Sequence, residues 1–496
     1  MKKRLQFIIS SVLLSVALSC TGLPGEYTQD RNLVRILPDY TDVTVPENIA
    51  PMNFYIMADA SAYATLFTTE ADTRYVVKGR TVRIPVRRWR SMLAEGPVSV
   101  QIFMKMKDSG KWTAFRPFKI TPSAPIDRYV SYRQIPPSFK QYDNIRLRQR
   151  DLSTFRDKVF YSNSMVQRTS TGQGQCVNCH SFRNYGTDDM QFHTRQYRGG
   201  TVIYHDGELR MVNMSTENTV SAGVYPAWHP VKNLIAYSTN STMQSFHTLS
   251  DNHIEVFDSE SDLILYDIDA NKISTIEAEP DQLECFPAWS PDGRMLYYVS
   301  ASIPQVPAGV ERSEYVAGIY DQLKYDIYRK SFDPESGRWG KAELVYQASA
   351  RGKSATLPRI SPDGKRLMFT MGEYGVFHIW HNDADLYVLD LETMQARAIR
   401  EINSSDTESY HSWSSNGEWV IFGTRREDGG YTRLYISHVN PDGSFSKPFT
   451  VPQKNPWSNT DMLTSYNIPE FTKTPVKVSA RKLARFVRNT KVVRVQ

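Results

Sequence analysis

Cysteine is scarce in this chain: four residues in 496, at positions 20, 176, 179 and 285. A disulfide-stapled fold is thereby excluded, and a chain of this length must be held together by buried apolar surface. Long apolar runs are also missing. Past the first twenty residues, no stretch approaches the roughly 20 consecutive apolar residues that span a bilayer. There is no nucleophile elbow, no phosphate-binding glycine loop and no paired-carboxylate motif. Carboxylates are missing from one place in particular. Residues 471–496 hold eight cationic side chains and no acidic one, although the whole chain is only +6. Residues 1–470 are therefore net −2, and the basic bias belongs to the tail, 476–496 with its approach. There, Ser479 reads as the cap of a short helix with Ala480, Leu483, Ala484 and Val487 on one face.

What is present is Gln175-Cys176-Val177-Asn178-Cys179-His180. Cys-x-x-Cys-His is the spacing of c-type haem attachment. Two thiols three positions apart can each form a thioether to one porphyrin, and the following His can supply an axial imidazole. A redox Cys-x-x-Cys would call for alternating strands and helices around it, and a zinc site for a second pair of ligands; neither pattern is there. The reading is one covalent haem c on Cys176 and Cys179, with His180 as the proximal iron ligand. Met190 and His193 are the distal candidates. If their segment is a strand, alternation puts them on opposite faces, so only one can serve. Met190 is preferred because a thioether buries cheaply; His205, Met211 and Met214 are more remote candidates. Cys285, in Glu284-Cys285-Phe286-Pro287, reads as a small buried residue.

The amino terminus agrees with attachment outside the cytoplasm. Lys2-Lys3-Arg4 followed by an apolar run from Phe7 to Leu18 reads as a signal peptide over 1–19. Ser19-Cys20 at its end resembles the bacterial lipoprotein signal, with Ala17 where such signals usually carry Leu. That resemblance implies lipidation at Cys20, a linker over 20–32, and a membrane-anchored protein facing the periplasm. Export and an acidic body together exclude nucleic acid as a partner.

Internal repeats give the architecture. Tyr225-Pro226-Ala227-Trp228-His229-Pro230 matches Phe286-Pro287-Ala288-Trp289-Ser290-Pro291-Asp292-Gly293, then Leu357-Pro358-Arg359-Ile360-Ser361-Pro362-Asp363-Gly364, then Tyr410-His411-Ser412-Trp413-Ser414-Ser415-Asn416-Gly417. A β-rich run follows each, and the Pro-Asp-Gly and Asn-Gly pairs are hairpin-turn chemistry. Trp228, Trp289, Ile360 and Trp413 are 61, 71 and 53 residues apart, room for one four-stranded unit each, repeated radially as a β-propeller. The repeats resemble those of TolB-like propellers, which implies six blades. Ser465 to Phe471 and Cys179-His180-Ser181-Phe182 supply two weaker matches, the haem motif then replacing the Trp-Ser-Pro-Asp-Gly turn of the first repeat. The chain resembles envelope lipoproteins of Bacteroidetes type that join this propeller to one haem motif.

The expected fold is thus all-β: a propeller over 176–475, preceded by a small β-sandwich over 33–125. Strands at Leu33–Leu37, Asn53–Met57, Thr81–Val86 and Val98–Met104 suit an immunoglobulin or fibronectin type. Residues 126–175 read as a connection packed on the propeller. The expected function is electron transfer or redox sensing with an unidentified redox partner, not catalysis. The alternatives are a TolB-like interaction scaffold in which haem is absent or structural, and a haem peroxidase-like enzyme, a class that usually resembles two-haem proteins. His378, His381 and Asp383 hint at a metal site but read better as an inter-strand loop, and His247 and His253 as part of a polar insertion.

Overall fold

The computed structural model describes residues 22–136, 144–167, 172, 174–247, 254–461 and 463–496. The signal segment, Cys20 with its expected lipid, and His253 lie outside the described residues. The chain divides into two compact units, one of residues up to 126 with 152–155 and 446–461, the other of the remainder.

The smaller unit is two β-sheets and a helix. Ala62–Thr69 and Val98–Lys105 pair antiparallel at the centre of the larger sheet, and along Val98–Lys105 the residues Val98, Val100 and Ile102 point inward by strand alternation. A three-stranded sheet of Ile36–Leu37, Phe54–Ile56 and Thr81–Val82 meets it through Phe54 and Phe118, whose rings lie 6.2 Å apart edge to face. The helix Val86–Ala94 was not expected from the sequence, although Pro85 precedes it and Trp89, Met92 and Leu93 recur at helical spacing and are buried. Residues 446–461 return to this unit from far along the chain: Lys447 pairs with Asp39 at 2.8 Å, and Tyr55 packs edge-on against Trp457.

The larger unit is a six-bladed propeller. Its innermost strands are Gln175–Phe182, Val224–Trp228, Gln282–Trp289, Ser354–Ile360, Glu408–Trp413 and Ser465–Thr472, called blades 1 to 6 in that order. Each is followed outward by antiparallel neighbours. Blade 6 corrects the expectation for residues 126–175. Tyr129–Ile135, Arg146–Asp151 and Asp157–Ser162 are not a connection lying on the propeller; they are three strands of blade 6. The fourth comes from near the other end of the chain, Ser465–Thr472 pairing antiparallel with Tyr129–Ile135. That pairing closes the ring and leaves no open inner edge.

The recurring turns are built alike. In Ser290-Pro291-Asp292-Gly293 the Ser290 hydroxyl donates to Asp292 at 2.5 Å and accepts from the Met295 amide at 2.9 Å, and Gly293 takes φ 71°, a value that suits a residue without Cβ. The tryptophans fasten neighbouring blades: Trp289 Nε1 donates to the Ala227 carbonyl at 3.1 Å, and Trp413 Nε1 to that of Arg359 at 3.2 Å. The basic tail is not free. Ser479 caps the helix Ala480–Asn489 by accepting from the Lys482 amide, Leu483, Ala484 and Val487 pack into the core shared by blades 1 and 6, and Val493–Arg494 adds a parallel strand to blade 1.

Candidate site in the central channel

Every innermost strand carries the same bulge, with one non-glycine residue in the left-handed region. These are Cys179, Tyr225, Phe286, Leu357, Tyr410 and Ile468, with φ between 46° and 55°. Register shifts in the ladders mark the bulge in all six blades. Six side chains so placed converge on the channel axis and line a small cavity. Such a conformation costs about 1 kcal/mol at each residue, so the ring must be held by the packing around it.

The bulge relocates the haem motif. Cys179-His180 does not replace the turn of the first repeat; it occupies the two bulge positions ahead of it, equivalent to Tyr225-Pro226 and Tyr410-His411. The turn itself is Arg183 to Gly186, closed by the Gly186 amide on the Arg183 carbonyl at 2.8 Å, with Asn184 and Tyr185 at positive φ.

In its chemistry the donor set fits a c-type haem. Cys176 and Cys179 are both free thiols. His180 is 2 % exposed, and neither ring nitrogen meets hydrogen-bond geometry with any partner, although the ring lies beside the backbone of Ser131 and Ile468 in blade 6. Burial, helped by the charge of Arg133, pushes its pKa down to about 3. The imidazole is therefore neutral, the form that binds metal. His411, at the same position in blade 5, is instead bonded through Nε2 to the Met368 carbonyl at 3.0 Å.

The space is tighter than the chemistry. The six-residue ring encloses about 30 Å³, room for water and not for a porphyrin. It opens on a funnel of about 300 Å³, the lower end of the range for small-ligand sites. Cys176 lines neither space; it is half-buried, and the Asn178 side-chain amide donates to its sulfur at 3.3 Å. Attachment of one haem to both thiols therefore requires the ring to open.

Met190 and His193 do lie on one strand, Met190–Gln196. Met190 pairs across from Phe182 and packs with Phe192, Phe160 and Leu147 in the core facing blade 6, the side on which His180 also lies. His193 pairs across from Asn178 on the other face, with Nδ1 3.0 Å from the Thr201 hydroxyl. His205 is engaged by Asp189 at 2.6 Å. With Asp206 these form the one group of three His, Cys, Asp or Glu donors that converges within 4.8 Å among the described residues, and Arg183 also pairs with Asp189. Met211 and Met214 are buried in two apolar cores. His381 bonds the buried Glu255 carboxylate at 3.1 Å, His378 lies 2.9 Å from the Tyr374 carbonyl, and Asp383 faces Lys353, so these three do not converge. His247 lies beside Tyr320. Cys285 is fully buried, its thiol receiving hydrogen bonds from Ser238 and Asn240 and pushed up in pKa by burial.

Sequence reading missed two residues of the funnel. Two positions after each ring residue the side chains are Ser181, Ala227, Ala288, Arg359, Ser412 and Glu470, and all six line the funnel. Four are small, while blades 4 and 6 place Arg359 and Glu470 there. Departure from the small residue of the repeat was the available signal.

No family model matches the chain, and no curated protein does. Solved structures with a similar course of chain include TolB from Acinetobacter baumannii, 12 % identical over 78 % of this chain and 85 % of its own, TM-score 0.42. Oligogalacturonate lyase from Vibrio parahaemolyticus is 14 % identical over 84 % and 100 %, TM-score 0.34. An auxiliary nutrient binding protein from Bacteroides thetaiotaomicron is 11 % identical over 84 % and 99 %, TM-score 0.33. The likeness is one of fold class, the β-propeller.

Proposed function

We propose that this chain is a haem-carrying propeller of the cell envelope, an electron carrier or redox sensor rather than an enzyme. One observation carries the reading: His180 is a buried, neutral imidazole whose ring nitrogens reach only the backbone of Ser131 and Ile468, short of full hydrogen-bond geometry, next to the free thiol of Cys179. A neutral imidazole beside a thiol, with a second thiol three positions earlier, is the donor set that a c-type haem calls for. Cys176 and Cys179 would hold the group and His180 its iron. Met190, on the face that His180 shares, is the favoured second ligand over His193. A haem held there supplies one-electron chemistry, and a thioether ligand would close the iron to small molecules and raise its potential. The leader and Cys20 support export with a lipid anchor, so Cys20→Ser should move the protein from the membrane to the soluble envelope fraction.

The test is an absorption spectrum and a haem stain after denaturing electrophoresis, on the full chain made in a host with c-type haem maturation. Cys176→Ser with Cys179→Ser should abolish the stain. Met190→Ala should admit carbon monoxide to the ferrous form, and His193→Ala should not. If the natural sequence takes up no haem, the second reading stands, a scaffold propeller of TolB-like architecture. The closed ring of about 30 Å³ favours that second reading.

A further inference from the structure

We propose that the central funnel binds the carboxylate of a small organic acid, with Arg359 as its main contact and Glu470 as its second. The inference does not depend on haem, although Arg359 and Glu470 line both the funnel and the ring cavity that holds Cys179 and His180. Arg359 and Glu470 are the only charged side chains among the residues lining the funnel. They occupy two of six repeat positions where the other four blades carry Ser or Ala, so neither is required by the way a blade is built.

The two do not neutralise each other by contact. Arg359 acts on Glu470 through space, with no hydrogen bond between the side chains, while Glu470 accepts the Phe182 amide at 3.1 Å. Arg359 is only partly buried and keeps its guanidinium for a ligand; two parallel N–H bonds to a carboxylate are what that group is shaped for. Burial raises Glu470 to about 7 against the pull of Arg359 and of the Phe182 amide. Below that pH its carboxyl is protonated and adds an O–H donor toward an anion; above it, a negative charge repels the same anion. The other titratable or charged groups around Glu470 are Tyr185, Tyr225 and Tyr410, held neutral by burial, Cys179 and His180 on the neighbouring strand, and Arg133, bonded to Asn467 behind it. Tyr225, Phe286 and Tyr410 form an aromatic floor beneath, which favours an acid with an apolar body.

Naphthalene-2-carboxylate is a suitable probe, with the neutral naphthalene-2-methanol as control, both titrated calorimetrically into the purified full-length protein. The carboxylate should bind at least tenfold tighter than the alcohol at pH 6, and several-fold more weakly at pH 8 than at pH 6. Arg359→Gln should remove the preference for the carboxylate. Glu470→Gln, an imitation of the protonated acid, should keep pH 6 affinity at pH 8, while circular dichroism confirms that both variants fold. Equal binding of acid and alcohol by the natural sequence overturns the proposal without recourse to any variant, as does no detectable binding of the acid at millimolar concentration. An unchanged preference in Arg359→Gln overturns it as well.

Discussion

Blades 1 and 5 place a histidine at the same point of the same bulge, and the two histidines live differently. His411 has a backbone acceptor, the Met368 carbonyl of the neighbouring blade. His180 has none in full hydrogen-bond geometry. Both are buried, and both are held at about 3 by that burial. In blades 2, 3, 4 and 6 the position is Pro226, Pro287, Pro358 and Pro469, so the fold asks of it neither a ring nitrogen nor a backbone N–H. His411 is thus a proline substitute that has found a well-formed structural hydrogen bond, whereas His180 makes only loose contact with the backbone of Ser131 and Ile468 beside a free thiol, and that difference favours blade 1 as the functional one.

The largest separation between the two should appear on truncation. His411→Ala strands the buried Met368 carbonyl and leaves a cavity, and should cost about 2–4 kcal/mol in urea unfolding. His180→Ala in haem-free protein loses packing alone and should cost about half as much. Equal losses would mean that His180 has a structural partner too.

Acid unfolding should sharpen the contrast. The ordinary histidine value is near 6.5, and burial depresses His180, His193, His378 and His411 to about 3. Between those limits the unfolded chain binds more protons than the folded one, so stability is full above pH 6.5 and drains away as pH falls toward 3. Glu284 and Glu470, raised by burial to about 8 and about 7, run the other way: their contribution is present below the ordinary carboxylate range and is lost as pH rises through those values. His180→Gln should therefore move the acid midpoint of haem-free protein downward with little change at pH 7, whereas His411→Gln should also lose stability at pH 7. Circular dichroism across a pH series reads both.

The smallest expected effect on stability is His180→Pro. Four blades already carry proline there, so the haem-free variant should unfold within about 1 kcal/mol of the natural sequence. Any haem spectrum of the natural protein should nonetheless be lost or altered. A variant that fails to fold would show that blade 1 departs from the repeat more than its backbone indicates.

Blades 2 to 5 were legible because their signals are local. Blades 3 and 5 carry a Ser-Pro-Asp-Gly or Ser-Ser-Asn-Gly turn, a tryptophan four residues ahead of its glycine and an apolar run after it, all within about fifteen residues; blade 2 keeps the tryptophan without the glycine turn, and blade 4 the turn with Ile360 for the tryptophan. Of blade 6 only the innermost strand was legible, as the weaker repeat match at Ser465 to Phe471; its three outer strands were not, because they lie far away in sequence: Arg133 bonds Asn467 across 334 positions, and no local period announces such a pairing. The return of residues 446–461 to the smaller unit was hidden for the same reason. At the site, Cys179 and His180 were visible as a motif, but their assignment to the bulge rather than the turn needed the backbone. Arg359 and Glu470 were visible only as exceptions to a repeat.

Closure of the ring by its last strand also sets a schedule. A chain made from its amino terminus delivers Tyr129–Ile135, Arg146–Asp151 and Asp157–Ser162 before any of the other five blades, and Ser465–Thr472 after all of them. For that interval three strands wait with an open edge, the condition in which strands recruit the wrong neighbour. The strand that presents this edge, Tyr129–Ile135, carries one charge, Arg133, among its apolar and polar residues, and a charge on an edge strand discourages a second copy from pairing there. Assembly of this ring is thus a race between synthesis and misassociation, in which the exposed edge has Arg133 as its one charged guard.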